Sequence, residues 1–214
     1  MTITRRTFLE HSSALSIGAV SLSAVGFSST GALAATEEQL MFAGPLGEKE
    51  LGSKDAPVTV IEYASMTCGH CATFHNTTYK PFLEKYVDTG KVHFIFREFP
   101  FDPVAAAAFM LARCAPEEKY FDIITFMFEQ QRQWAFSDNP RGAIFNLGKQ
   151  IGFTQKEIEE CLTNQEILDG VTTVRNHAAN VLGVDATPTF FINGEKVSGA
   201  LSIDEISKYV DKHL

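Results

Sequence analysis

Cys68 and Cys71 are the residues of this chain best placed to do chemistry, because they lie one helical turn apart at the end of an apolar run. Residues 58–64 predict a strand, and a turn and a helix should follow it. The first thiol would then sit at a helix N-terminus, where free backbone N–H groups and the helix dipole favour the thiolate. A cationic His70 would favour it further. A cysteine pKa lowered from ~8.5 toward ~3.5–7 gives a thiol that reacts at neutral pH. The spacing therefore predicts a reversible dithiol/disulfide pair.

Two other interpretations of this motif remain open. A pair of cysteines can be half of a zinc site, with His70 or His75 as further ligands, but structural zinc sites usually bring a second ligand pair. Cys114 and Cys161 lie far apart in the sequence and form no second pair of this kind. A purely structural disulfide across so short a ring is strained and easily reduced. We expect no metal and no other cofactor.

Composition limits the class of protein. The chain has 214 residues, 45% of them hydrophobic, and a formal net charge of −8. This length suits one domain preceded by an export segment. The acidic balance argues against binding to nucleic acid.

The N-terminal residues 1–34 are predicted to be an export signal rather than part of the fold. Thr4–Leu9 contains Arg5 and Arg6 and is similar to a twin-arginine signal, with Thr in place of the usual Ser. Residues 11–36 carry no Asp, Glu, Lys or Arg, and Ala32-Leu33-Ala34 fits an A-x-A cleavage site. The alternative is a retained membrane anchor, although Ser and Gly interrupt the apolar stretch. Export would place the protein where disulfides persist.

Hydrophobic periodicity divides the remainder into a β-α-β unit, a helical block and a β-β-α unit, an α/β fold. Residues 35–56 are polar and predict an N-terminal tail. Residues 57–102 predict a strand at 58–64, a helix over 69–87 and a strand at 92–97. Pro81 should kink or shorten that helix.

The helical block and the last unit are marked by capping residues. Residues 103–182 predict helices only, with N-caps at Asp102, Thr154 and Asn164. Residues 183–214 return to strands around the hairpin signal Asn193-Gly194 and end in a helix.

Together these motifs resemble a known family. The order of elements and the dithiol after the first strand resemble the thioredoxin fold. A helical insertion between the two halves of the sheet resembles the DsbA-like thiol:disulfide oxidoreductases of bacterial envelopes, and the match looks closest to alphaproteobacterial members. The matching segments cover nearly the whole chain after the leader. They are residues 51–63, Cys68-Gly69-His70-Cys71, residues 96–100 and residues 183–194, which include Thr187-Pro188.

The resemblance implies roles for individual residues. Cys68 would be the nucleophile and Cys71 the resolving thiol. Thr187 and Pro188 would form a cis-proline loop that faces the dithiol and binds substrate, whereas the sequence alone would favour an ordinary trans bond. Glu62 would be a buried acid that exchanges a proton with Cys71, although a strand Glu is often solvated. We expect His75 and His93 to be unremarkable, with His75 at the surface.

Cys114 and Cys161 both fall in the helical insertion. An oxidising compartment and an even number of cysteines predict a structural disulfide between them. The alternative is two buried free thiols that pack as small apolar residues.

The function implied is a periplasmic enzyme that donates disulfides to exported proteins. Its partners would be reduced or misoxidised exported proteins and a membrane oxidase resembling DsbB that reoxidises it. We expect a monomer. One alternative is a disulfide isomerase or reductase, since Gly69-His70 matches the dipeptide of eukaryotic disulfide isomerases. Another is a periplasmic peptide-binding or chaperone module.

Overall fold

The predicted first strand lies at the centre of a five-stranded sheet. The computed structural model describes residues 35–214, and the predicted export signal lies outside this range. In order across the sheet, the strands are β1 (Lys49–Leu51), β3 (Val92–Glu98), β2 (Val58–Ala64), β4 (Thr189–Ile192) and β5 (Glu195–Ser198), numbered along the chain. β2 pairs in parallel with β3 and antiparallel with β4, so both of its edges are bonded. Its nearly continuous apolar pattern is explained by this central position, which leaves no face for water.

The bounds of the elements confirm the predicted α/β class with a helical insertion. The helices are α1 (Glu37–Leu40), α2 (Gly69–Phe74), α3 (Lys80–Phe82), α4 (Pro103–Cys114), α5 (Tyr120–Glu129), α6 (Gln131–Trp134), α7 (Pro140–Gln150), α8 (Gln155–Leu162), α9 (Gln165–Asn180) and α10 (Ile203–Asp211). Within residues 35–214, no helix has the length and apolar character needed to cross a bilayer.

The two faces of β2 belong to different parts of the core. Val60 and Ala64 pack with residues of α2, α4, α5 and α10 in one cluster. Ile61 and Tyr63 pack with residues of α9 in the other. Because strand side chains alternate, Glu62 points to the same side as Val60, into the larger cluster beneath α2.

The helix that follows the dithiol does not end at Pro81. α2 continues as π-helical His75–Tyr79, α3 and π-helical Leu83–Val87. Helical geometry therefore covers residues 69–87 as predicted, and of the two effects expected of Pro81, a kink or a shortening, the shortening does not occur. The wider π turns on both sides of Pro81 accommodate a residue that lacks a backbone N–H, so helical geometry continues past it.

The helical insertion, α4–α9, begins and turns at the predicted caps. The Asp102 side chain accepts from the Ala105 N–H, and Asn164 accepts from the Ile167 N–H. Thr154 forms a capping box with Glu157. These caps satisfy N–H groups that have no partner within their own helix, so they fix where each helix starts.

Residues 35–56 are more ordered than the predicted tail. They contain α1 and β1, and β1 pairs antiparallel with β3 at the edge of the sheet. β1 is only three residues long and half-buried, so the alternation of polar and apolar residues that predicts a strand is too short to detect there. The polar residues of this stretch bond to the sheet, since Glu50 contacts His93 with an Oε2–Nε2 distance of 3.0 Å.

A buried ion pair joins the sheet to the insertion. Glu98, at the end of β3, is 0% exposed. It accepts hydrogen bonds from the Arg113 guanidinium of α4 and, at 2.7 Å, from the Tyr120 hydroxyl of α5. Burial alone would raise the pKa of Glu98, but the Arg113 charge and these hydrogen bonds hold it below its usual value.

We predict that Glu98→Gln lowers the free energy of unfolding by about 3–5 kcal/mol, because it leaves the Arg113 charge buried without its partner. The wild-type contribution should be present above the ordinary carboxyl pKa and be lost as pH falls through the lowered pKa of Glu98. Urea unfolding at several pH values measures both effects.

Glu160→Gln is the control, because Glu160 forms only an exposed pair with Lys156 on α8. Its effect should stay below about 0.5 kcal/mol. Equal losses in the two variants would contradict the importance of the buried pair.

Candidate active site

The dithiol lies where the central strand passes into α2. Cys68 is the N-cap residue of α2, with extended backbone angles, and Cys71 lies in the first helical turn. The turn before them is closed by a hydrogen bond from the Cys68 N–H to the Ser65 carbonyl at 3.1 Å. Cys68 is half-buried, whereas Cys71 is 0% exposed. A reactant can therefore reach the first sulfur and not the second.

The loop that contains Thr187 and Pro188 faces this turn. The peptide bond between them is cis. The Cys68 Sγ lies 3.2 Å from the Thr187 carbonyl oxygen, although the two residues are 119 positions apart. The pairing of β2 with β4, in which Tyr63 is opposite Thr189, brings them together.

The two thiols have opposite electrostatic environments. A hydrogen bond from Cys71 outweighs partial burial and lowers the pKa of Cys68 to about 5, and Thr187 and the backbone N–H groups of Cys71 and His70 act in the same direction. Burial raises the pKa of Cys71 well above its usual value, and the nearby Cys68 and Glu62 add to this. At neutral pH the pair thus holds one thiolate and one thiol, the asymmetry that directional thiol–disulfide exchange needs.

His70 lies at the surface of the helix N-terminus. Its side chain is exposed, and the residue contributes to the lowered pKa of Cys68 through its backbone N–H. The predicted influence of a cationic imidazole on Cys68 stays a prediction.

Glu62 and His75 form a buried pair behind the dithiol. Glu62 is 0% exposed and His75 is 5% exposed. His75 Nε2 lies 3.1 Å from Glu62 Oε1. The surface position expected for His75 was therefore wrong, as was the solvated alternative for Glu62. The sequence could have indicated the buried position of His75. His75 follows Cys71 by four residues and so shares its helix face, and a buried Glu requires a partner.

Gln131 also contacts the site, although no sequence motif marks it as a functional residue. Its Nε2 donates to the carbonyl oxygens of Met66 at 2.8 Å and Cys68 at 2.9 Å. The turn that carries the dithiol is thereby fixed to α6 of the insertion. Nothing in the sequence around Gln131 pointed to this contact, since no motif links it to the distant turn.

Cys114 and Cys161 are not part of the dithiol site. Their sulfurs are bonded to each other, which links α4 to α8 inside the insertion. Among residues 35–214, no group of three or more His, Cys, Asp or Glu is arranged to hold a metal ion. His75, one of the two histidines considered as zinc ligands, contacts Glu62 instead.

An apolar groove of about 710 Å³ lies on the insertion, and neither Cys68 nor Pro188 lines it. Its walls include Phe101, Met110 and Phe145. Asp102, also in its wall, accepts a hydrogen bond at 2.6 Å from Thr67, the residue before Cys68. The groove is therefore next to the dithiol turn but distinct from the site of chemistry.

Sequence comparison agrees with this geometry. The model of the family described as Thioredoxin matches residues 47–212. A relative from Rickettsia felis, whose name refers to protein-disulfide oxidoreductase activity, is 36% identical over 165 residues, 77% of this chain and 59% of the relative. The chain thus spans about six-tenths of the length of the first such relatives. Disulfide bond formation protein D of Bacillus subtilis is 25% identical over 78% of each chain.

Solved structures show the same likeness. Alpha-DsbA1 of Wolbachia pipientis is 32% identical, with a TM-score of 0.75 over 83% of this chain and 95% of that one. BdbD of Bacillus subtilis, at 22% identity and a TM-score of 0.67 over 78% of this chain and 92% of that one, shares the fold.

We predict that alkylation of the reduced protein by iodoacetamide follows the Cys68 thiolate. The rate should rise about tenfold per pH unit below the Cys68 pKa of about 5 and be constant at neutral pH, because only the thiolate reacts. Mass spectrometry of the alkylated peptide measures the rate, and Cys68→Ala should abolish this phase. A midpoint near the ordinary thiol pKa of ~8.5 would contradict the described environment.

Proposed function

The chain belongs to the thioredoxin family and, within it, to the DsbA-like proteins, and from this premise we propose that it is a thiol:disulfide oxidoreductase that donates the Cys68–Cys71 disulfide to exported proteins in the periplasm. The observation that carries the proposal is the asymmetry of the dithiol. A half-buried Cys68 of low pKa lies beside a buried Cys71 of raised pKa. Stabilising the Cys68 thiolate stabilises the reduced form of the enzyme, so the oxidised form tends to take electrons from its substrate.

The proposed reaction proceeds in two exchanges. A substrate thiolate attacks the Cys68 sulfur of the oxidised enzyme, the bond between Cys68 and Cys71 breaks, and Cys71 leaves as a thiolate that takes up a proton. A second substrate thiolate then attacks the substrate sulfur of the mixed disulfide. Cys68 leaves as a stabilised thiolate. The substrate has lost two electrons, and the enzyme holds them as a dithiol.

The surroundings of Cys68 support this sequence. Substrate can approach only Cys68, since Cys71 is 0% exposed. The Thr187–Pro188 loop lies beside the sulfur and would pair with an extended segment of the substrate peptide. Glu62 would supply the proton that the leaving Cys71 requires, because its charge acts on that thiol.

The further partners follow from this chemistry. An enzyme that donates disulfides must be reoxidised, and we propose a membrane oxidase resembling DsbB as the electron acceptor. We propose that residues 1–34 direct export to the periplasm and that the protein acts as a monomer. Its activity needs no metal, nucleotide or flavin in this scheme.

We predict a reduction potential above about −180 mV for the Cys68–Cys71 pair, compared with roughly −270 mV for thioredoxin, because the stabilised thiolate favours the reduced form. Equilibration with glutathione buffers, followed by alkylation and mass spectrometry, measures it. A potential near that of thioredoxin, or insulin reduction faster than peptide oxidation, would favour the reductase or isomerase alternative.

We predict that Cys68→Ala abolishes oxidation of a reduced dithiol peptide, because no other sulfur of the pair is accessible. Cys71→Ala should accumulate mixed disulfides on Cys68, since no partner thiol can release the bound substrate. Non-reducing electrophoresis after incubation with oxidised peptide detects them. The low pKa of Cys68 should rise in Cys71→Ala, because the hydrogen bond from Cys71 is its largest cause.

Cys114→Ala with Cys161→Ala is the control for these variants, because that disulfide lies inside the insertion. This double variant should still oxidise the peptide. Oxidation that survives Cys68→Ala, or that requires Cys114 and Cys161, would contradict the proposed function.

A further inference from the structure

The Glu62 carboxylate is held at one oxygen only. Its Oε1 lies 3.1 Å from His75 Nε2, and its Oε2 has no hydrogen-bond partner. Both side chains are essentially inaccessible, at 0% and 1% exposure. A buried polar atom without a partner is rare and costs stability, so it calls for a functional explanation.

His75 is fixed in place by aromatic rings. Its ring stacks on Phe128 with centroids 4.2 Å apart and an interplanar angle of 22°. The ring centroids of Tyr79, Phe74 and Phe96 lie 4.6, 5.6 and 5.7 Å from that of His75, and the two Phe rings are nearly perpendicular to it. His75 also begins the π-helical segment, a backbone feature frequent at functional sites. The imidazole therefore presents Nε2 to Glu62 in one orientation.

The titratable groups around this pair come from each element packed on it. Cys71 lies on α2, Tyr79 on the π-helical segment and Asp122 on α5. The Glu62 charge contributes to the raised pKa of both Cys71 and Tyr79, and Asp122 contributes to that of Tyr79. Burial keeps both Tyr79 and Cys71 protonated at neutral pH. Of the two, only Cys71 takes part in thiol–disulfide exchange, so its proton is the one that must move.

We propose that His75 is the positioning residue for Glu62, its Nε2–H holding Oε1 so that Oε2 is left to exchange a proton with Cys71. The contacts fit an imidazole with its proton on Nε2, where Glu62 Oε1 can accept it. A proton on Nδ1 would have no acceptor. This inference rests on the proposed function, in which Glu62 serves Cys71.

The proton and the electrons balance in the step where Cys71 resolves a mixed disulfide. Glu62 Oε2 takes the proton of the Cys71 thiol, and the Cys71 thiolate attacks the Cys68 sulfur. The bond between Cys71 and Cys68 forms, the bond between Cys68 and the bound thiol breaks, and that thiol leaves as a thiolate. In the reverse direction, Glu62 returns the proton to Cys71 as it leaves.

The reaction of reduced protein with oxidised glutathione isolates this step. In its first phase Cys68 forms a mixed disulfide with glutathione, and in its second phase Cys71 releases the glutathione. Acid quenching and mass spectrometry follow each phase over a range of pH. The two phases separate the chemistry of Cys68 from the proton transfer at Cys71.

His75→Gln and His75→Asn form a matched pair of variants. The amide nitrogen of Gln replaces Nε2, the atom that faces Glu62, whereas that of Asn replaces Nδ1. We expect His75→Asn to slow the second phase about 100-fold, the lower end of what a positioned proton-transfer group contributes, and to make it rise with pH as solvent becomes the base. His75→Gln should recover most of the rate, and neither variant should change the first phase.

Glu62→Gln should slow the second phase as much as His75→Asn, and the double variant should be no slower than either, because the two residues act as one unit. The control is His93→Asn, which disrupts the other His–Glu contact of the sheet, between His93 and Glu50. This control should leave both phases unchanged.

The outcomes separate this inference from the proposed function. A wild-type protein that forms no mixed disulfide, or never resolves it, contradicts the proposed function. A normal second phase in His75→Asn, or a His75→Gln variant as slow as His75→Asn, overturns the role of His75 alone. If His75→Asn does not fold, His75→Leu takes its place. The rate of its second phase is then compared with that of His75→Gln, and the same outcomes apply.

Discussion

The antiparallel pairing of β2 with β4 is the interaction on which the site depends, because it places the Cys68 sulfur 3.2 Å from the Thr187 carbonyl oxygen. That juxtaposition spans 119 residues and exists only because the two strands pair in one register. A slip of one residue would turn every side chain of β2 to the opposite face, moving Glu62 away from α2 and placing Ile61 there. The apolar residues that bury β2 on both faces therefore also set the position of the dithiol relative to the loop that faces it.

The fold was largely predictable because its determinants are local in the sequence. A continuous apolar run marks β2, and the caps at Asp102, Thr154 and Asn164 mark helix starts by bonds to residues three positions away. The parts that escaped prediction depend on distant partners. β1 is defined by pairing with β3, 43 or more residues further along the chain, and its three residues carry too short a pattern to be recognised.

The site was predictable where one motif contains the chemistry and not where the tertiary structure assembles it. The spacing of Cys68 and Cys71 predicts the dithiol, and the resemblance to the family identified Glu62. His75 was expected at the surface, although the need to pair a buried Glu could have placed it inside. Gln131 could not have been inferred, because its bonds are to backbone carbonyls, which any sequence provides.

The attachment of α6 to the dithiol turn has an optical consequence. Trp134 is the one tryptophan of the chain, it is buried, and it ends the four-residue helix that begins with Gln131. Its indole N–H donates to the Met127 carbonyl at 2.9 Å, while Gln131 binds the Cys68 carbonyl. The tryptophan emission of the folded protein thus arises from a single indole, three residues along the chain from the side chain that binds the active turn. A displacement of the dithiol turn that moved Gln131 would therefore also move the short helix that carries the molecule's own fluorophore.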